Sequence, residues 1–212
     1  MQEFFETVLS NLKNTTWLEF VAVIAGIVSV WFSRKENIWV YPTGLVNTII
    51  FIYLSFKFDL IGEASVNFYY TVMGIYGWWL WSRKDQKQKP LVRITFSNQK
   101  EWVQEIIFFL FFYVTLFFII TYLQPKFPGA IPWADAFASA SAFTGMWLMA
   151  RKKVESWWWW MITNIASIPL YYVKGLAFTS VYYIILLVMA VFGLIEWRKR
   201  AKKRENKLEL EV

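Results

Sequence analysis

Seven apolar runs of sixteen to twenty-two residues, separated by short clusters of charge, leave this chain few ways to fold. They are Trp17–Phe32, Ile38–Phe56, Leu60–Trp81, Trp102–Leu123, Trp133–Ala150, Trp157–Val173 and Ala177–Trp197. A helix needs about 20 mostly apolar residues to cross a bilayer. Backbone groups in lipid must be paired within the protein, which leaves helices or closed barrels. The runs lack the alternating pattern of barrel strands, so helices are expected. Charged residues make up 17% of the chain, against about 25% in a soluble domain. No stretch is left for a soluble domain, and one membrane domain is predicted.

The charges set an orientation. Of 22 Lys and Arg residues, 18 fall in Arg34–Lys35, Arg83–Lys100, Arg151–Lys153 and the tail from Arg198. The opposite segments hold Lys13, Lys57, Lys126 and Lys174. Basic loops stay in the cytoplasm, so the N-terminus is expected outside and the C-terminus inside. The net charge of +7 is thereby explained by topology, and no nucleic-acid partner is expected. The basic tail, 198–212, is expected to meet anionic lipid head groups. Residues 1–14 are acidic and weakly amphipathic, without the basic start of a signal peptide, so the first span is expected to remain in the mature protein.

The first three spans resemble the last three. Arg34-Lys35 lies 117 positions before Arg151-Lys152, Asn47 before Asn164, and Lys57 before Lys174. One residue of slippage aligns Gly77 with Gly193 and Trp81 with Trp197. The expected fold is therefore an all-α polytopic membrane protein of seven transmembrane helices, arranged 3+1+3. Residues 17–81 and 133–197 form two parallel three-helix repeats, and 102–123 forms a linker helix. Parallel repeats are a common transporter plan, with substrate near midplane at the repeat interface.

Polar residues deep in a span are costly and often functional. Asn47 and Asn164 sit near the middle of the second and sixth spans, and Asn67 in the outer half of the third. Each amide can donate and accept, which suits hydroxyls or a carboxamide; interhelical bonding is the alternative. At 100° per residue, Trp157, Trp160 and Asn164 form one stripe running inward from the basic side. Two indoles and an amide suit a flat ring, and an indole face attracts a cationic one. Trp158 and Trp159 point elsewhere and are expected at the lipid boundary. Tyr183 and Thr179 on the seventh span are weaker candidates.

What is missing excludes other chemistry. There is no Cys and no His, which removes disulfides, thiolate metal sites and Cys or His catalysis. No cofactor or metal is expected. No Lys or Arg lies well inside a span, so a phosphorylated substrate, which calls for Arg or Lys, fits poorly. No pair of buried carboxylates is apparent, and proton coupling is not expected. A GxxxxGK nucleotide loop is absent. An intramembrane enzyme is disfavoured on the same grounds. A channel, or a receptor-like protein that binds without translocating, fits the parallel repeat less well than a carrier.

The chain resembles the PnuC family of bacterial nicotinamide riboside transporters nearly end to end. The segments that carry the resemblance are VYPTG at 40–44, IYGWW at 75–79, WLMARKKVESW at 147–157 and YYVKGLAFTS at 171–180. The pattern W-x-x-W-x-x-x-N at Trp157, Trp160 and Asn164 looks like that family's binding signature. The resemblance implies a seven-helix fold similar to a duplicated semiSWEET and a bacterial inner-membrane location. It further implies facilitated diffusion with a cytoplasmic kinase trapping the cargo, and a homo-oligomer, a trimer. The chain departs from some members in having Asn67 where they have Gln. Related carriers take thiamine or riboflavin; thiamine carriers tend to have Asp where Asn164 stands, so Asn favours nicotinamide riboside.

Overall fold

The computed structural model describes residues 16–57, 61–86, 88–126 and 129–209. The segment 1–14 and Asp59 lie outside them. Seven helices follow in order: α1 Trp17–Arg34, α2 Val40–Lys57, α3 Ile61–Ser82, α4 Gln99–Leu123, α5 Pro132–Ala150, α6 Ser156–Val173 and α7 Ala177–Glu209. Local chemistry starts several of them. The Thr16 hydroxyl accepts from the Glu19 amide at the head of α1. Asn98 and Glu101 form a reciprocal capping box on α4, which satisfies two otherwise orphaned amides. Pro132 opens α5, where its missing N–H costs nothing.

By length and composition, α1, α4 and the membrane part of α7 are apolar enough to cross a bilayer. The other four helices have 18 to 22 residues, about 27 Å or more at 1.5 Å per residue. Their apolar character is diluted by Asn, Ser, Thr, Tyr, Gly and Pro. The packing explains much of this. Helix α5 touches α3, α4 and α6, and its small-residue stretch Ala138–Gly145 is almost entirely buried in protein.

Each three-helix set packs in chain order, α1 on α2 on α3 and α5 on α6 on α7. The sets meet through α3 with α5 and through α1 with α7. Exchanging the sets turns one of these contacts into the other, as a twofold axis along the bundle requires. Six helices thus close a ring, with α2 and α6 making no extensive contact across it. Helix α4 packs outside the ring on α5, in the linker role expected from sequence.

The ring is plugged at its Lys/Arg-rich end. A cluster of buried residues there includes Tyr41, Trp81, Met149, Trp157, Leu194 and Trp197. It is built twice. The Tyr41 ring covers Gly77 so closely that no Cβ fits, and the Trp157 ring covers Gly193 in the same way. Tyr41 meets Trp81 edge-on with centroids 5.2 Å apart, and Trp157 meets Trp197 edge-on at 5.5 Å. Trp81 Nε1 donates to the Ala150 carbonyl at 3.0 Å, and Trp197 Nε1 to the Ser33 carbonyl at 3.1 Å. Ala150 and Ser33 are themselves 117 positions apart. Each indole therefore latches onto the other three-helix set. Glu36 and Lys152, at equivalent turns, both adopt left-handed backbone and form an ion pair.

One boundary differs widely from the sequence expectation. Helix α7 does not end at Trp197; it continues to Glu209. Arg200 pairs with Glu196 one turn back and with Glu36 on the α1–α2 turn, and Ala201 is buried. The start of the basic tail thus docks on protein, while Arg198, Lys199, Lys202 and Lys203 stay exposed. The segment after α3 is also held: Thr95 pairs with the α5–α6 turn through Lys152 and Val154, and Ile94 is buried.

Candidate functional site

Helix α6 carries the central features. Asn164 is 3% exposed, and no hydrogen bond to its amide is found among the described residues. One turn nearer the basic end, Trp160 is half-buried. Its indole lies over Gly145 of α5, where a Cβ would come within 3.3 Å. Its ring centroid is 6.2 Å from that of Tyr70 on α3.

Trp157 stands one turn further toward the basic end and is 1% exposed. Gly193 covers it and Trp197 meets its ring. Its Nε1 is buried without a partner. The stripe predicted from helical periodicity is thus present on α6. Its three members differ in surroundings: Trp157 is packed into the plug, Trp160 keeps exposed surface, and Asn164 has an unused amide.

The two remaining tryptophans of the run separate. Trp158 is exposed, as a boundary residue should be. Trp159 corrects the expectation of a lipid-facing position. It is buried against α4, its Nε1 donates to Glu105 Oε2 at 3.1 Å, and its ring packs on Phe109. Helical projection shows that Trp159 points away from the stripe; it cannot show that α4 occupies that side.

Glu105 is fully buried and Glu155 nearly so. This corrects the expectation that no pair of buried carboxylates is present. Glu155 accepts from the Ser97 amide at 2.9 Å. Both acids hold α4 and its leading segment onto α6, on the side away from Asn164.

The other candidates are dispersed around the ring. Asn47 Nδ2 donates to the Ala22 carbonyl of α1 at 2.7 Å, the interhelical role that sequence left open. The Tyr182 hydroxyl and Asn47 Nδ2 converge over Gly26, where a Cβ would meet them at 2.5 and 2.8 Å. Asn67 is half-buried, and the Thr71 hydroxyl bridges its carbonyl and the Thr48 hydroxyl at 2.9 Å each. Tyr183 stacks on Tyr171 at 5.1 Å. Thr179 is half-buried in the first turn of α7.

Sequence reasoning missed Tyr70, Tyr182 and the Tyr69–Phe143 stack at 3.9 Å that joins α3 to α5. Adjacent tyrosines at 69–70 and 182–183 are a visible signal, but their partners lie on distant helices. Ion pairs found among the described residues sit at helix ends, at turns, or at Glu196 and Arg200 where α7 leaves its apolar span. Every described Lys and Arg lies at a helix end or beyond the apolar spans. The central residues are therefore aromatic and neutral.

A sequence model of the family described as nicotinamide mononucleotide transporter matches residues 16–199. The nicotinamide riboside transporter PnuC of Escherichia coli is 27% identical, over 92% of this chain and 90% of that protein. The nicotinamide riboside transporter PnuC of Neisseria mucosa is 25% identical, over 95% and 79%. The riboflavin/roseoflavin transporter RibM of Streptomyces davaonensis is 23% identical, over 90% and 89%. In fold, the chain matches the crystal structure of the vitamin B3 transporter PnuC with a TM-score of 0.70 and 22% identity, covering 94% of this chain and 90% of that one.

Proposed function

From the chain's membership of the nicotinamide mononucleotide transporter family, we propose that it carries nicotinamide riboside across the bacterial inner membrane by facilitated diffusion. The protein is a multi-pass membrane transporter rather than an enzyme. The cargo passes between the two three-helix sets, with the N-terminus outside and the basic end in the cytoplasm, as the charge distribution favours. Asn164 bonds the carboxamide or ribose. Trp160 stacks on the pyridinium, and Trp157 forms the floor beneath it. Asn67, Asn47, Tyr183 and Thr179 line the path more distantly.

The observation that carries this reading is the buried, unpartnered Asn164 amide one turn from Trp160. A neutral aromatic site also favours the riboside over the mononucleotide of the family's description. A phosphate buried among aromatic rings, far from any Lys or Arg, would carry an uncompensated desolvation cost. Without a nucleotide-binding loop on this chain, net uptake follows from trapping: a cytoplasmic kinase phosphorylates the riboside, and the phosphorylated form no longer fits. Assembly as a homotrimer rests on the family resemblance.

Titrating purified protein with nicotinamide riboside, thiamine and riboflavin tests the reading. Riboside binding should weaken about tenfold or more in Asn164→Ala, the value of one buried amide contact, and stability should not fall, because the amide bonds nothing in the empty protein. The reading fails if riboside binding is unchanged in both Asn164→Ala and Trp160→Ala. The similarity to the riboflavin/roseoflavin transporter RibM makes riboflavin the second reading, and binding of riboflavin without the riboside would select it.

A further inference from the structure

At the basic end, away from the central site, a cavity of about 410 Å³ opens between the segment after α3, the first turn of α4, the α5–α6 turn and the extension of α7. Arg93, Arg151, Lys153 and Arg204 face it, against two carboxylates, Asp85 and Glu101. Glu101 is already committed. It takes Lys153 at 2.7 Å and lies 3.8 Å from Arg151, and it caps α4. Arg93 reaches the Pro90 carbonyl through Nε. Arg204 Nη1 is buried without a partner; burial and then the like charge of Arg93 weigh against its charge, and Glu36 offsets them in part. Two guanidinium groups held together in one cavity repel each other unless an anion lies between them.

We propose that this cavity binds a phosphate group, with Arg93 and Arg204 as its principal ligands. Guanidinium forks match the oxygens of a phosphate two at a time. The volume admits a phosphorylated small molecule, and the position beside the membrane also admits an anionic lipid head group. Occupancy has a mechanical consequence. The anion would tie the segment carrying Arg93 to the α7 extension, and that extension already holds the plug through Arg200 with Glu36 and Trp197 with the Ser33 carbonyl. A bound phosphate therefore favours the closed basic end.

Arginine footprinting of the unmodified protein tests this without depending on any variant. Purified protein is treated with phenylglyoxal, and modification of Arg93 and Arg204 is followed by mass spectrometry. One arm adds pyrophosphate in detergent. The other compares nanodiscs of phosphatidylglycerol with nanodiscs of phosphatidylcholine. Protection of both arginines by pyrophosphate, at least fivefold and lost at high salt, supports a soluble phosphate ligand. Protection only in phosphatidylglycerol supports a head group. In either case Arg93→Gln/Arg204→Gln should weaken pyrophosphate or phosphatidylglycerol binding about tenfold while riboside binding persists. If neither anion protects the two arginines, or if the double variant binds as tightly as the parent protein, the site does not exist.

Discussion

Gly193→Ala probes the plug at its tightest point. A Cβ at Gly193 would fall 2.5–2.6 Å from three atoms of the Trp157 six-membered ring. Real Cβ contacts are almost never shorter than 3.0 Å and are ordinary from 3.4 Å, so about 0.5–0.9 Å of movement is needed. Neither partner can supply it easily. Gly193 is fixed in the α7 backbone, and Trp157, 1% exposed, is bounded by Trp197. Overpacking of this kind costs roughly 1–3 kcal/mol, about 5- to 150-fold in the folding equilibrium. The midpoint of unfolding in a mixed-detergent titration should drop accordingly. The diagnosis is specific, because Trp157→Leu removes the clashing ring. In that background Gly193→Ala should cost at least 1 kcal/mol less than in the parent, a coupling read from a double-mutant cycle. Additive effects within about 0.5 kcal/mol would refute the clash. The equivalent Gly77→Ala should show the same coupling to Tyr41.

Three further outcomes are expected. Trp160→Ala should weaken riboside binding about fivefold or more, the roughly 1 kcal/mol of a cation over an indole, measured by calorimetry. Trp81→Phe and Trp197→Phe each remove an indole N–H from a buried carbonyl, at about 1–3 kcal/mol. Each should raise labelling of a cysteine placed at Ser33 by a membrane-impermeant thiol reagent added from the Lys/Arg-rich side, and unchanged labelling would deny the latch. Glu105→Ala should destabilise by about 1–3 kcal/mol, because it orphans the Trp159 N–H. Glu105→Gln should not, because its amide oxygen can still accept. Equal midpoints for the two variants would sink that account.

The seven helices were legible because run length reports the need to pair backbone groups in lipid, and the charge clusters mark where each run ends. The stripe on α6 was legible because helical periodicity fixes which residues share a face. Periodicity does not say what stands opposite that face. Trp157 and Trp160 look interchangeable in sequence, yet only Trp157 meets a glycine on α7 and a second indole. Trp159 looks like a lipid-boundary residue until α4 is placed beside it. Glu105 and Glu155 escape notice because their burial comes from packing between α4, its leading segment and α6, and nothing adjacent in sequence announces it. The tail continued as helix because Glu196 and Glu36 were waiting for Arg200, and Glu36 lies 164 positions away.

The internal symmetry itself separates scaffold from site. Where the two halves do the same thing, the residues hold the ring shut: an aromatic on glycine, an edge-on tryptophan, an indole bonded to the opposite half's carbonyl. Where equivalent positions diverge, a purely structural explanation no longer covers both. Asn47 and Asn164 occupy matching places on α2 and α6, but Asn47 spends its amide on the Ala22 carbonyl while Asn164 is buried with none engaged. If Asn164 were framework, its natural bond would be the counterpart of Asn47's, to the α5 carbonyl near Ser139. Its failure to make that bond leaves one half of a symmetric scaffold with a free polar group, and a single asymmetric ligand needs only one. Asn47→Ala should therefore lower stability by about 1 kcal/mol through loss of the tie to α1, and affect riboside binding less than Asn164→Ala does. The opposite ranking in a thermal-stability and binding comparison of the two variants would place the ligand on the other half.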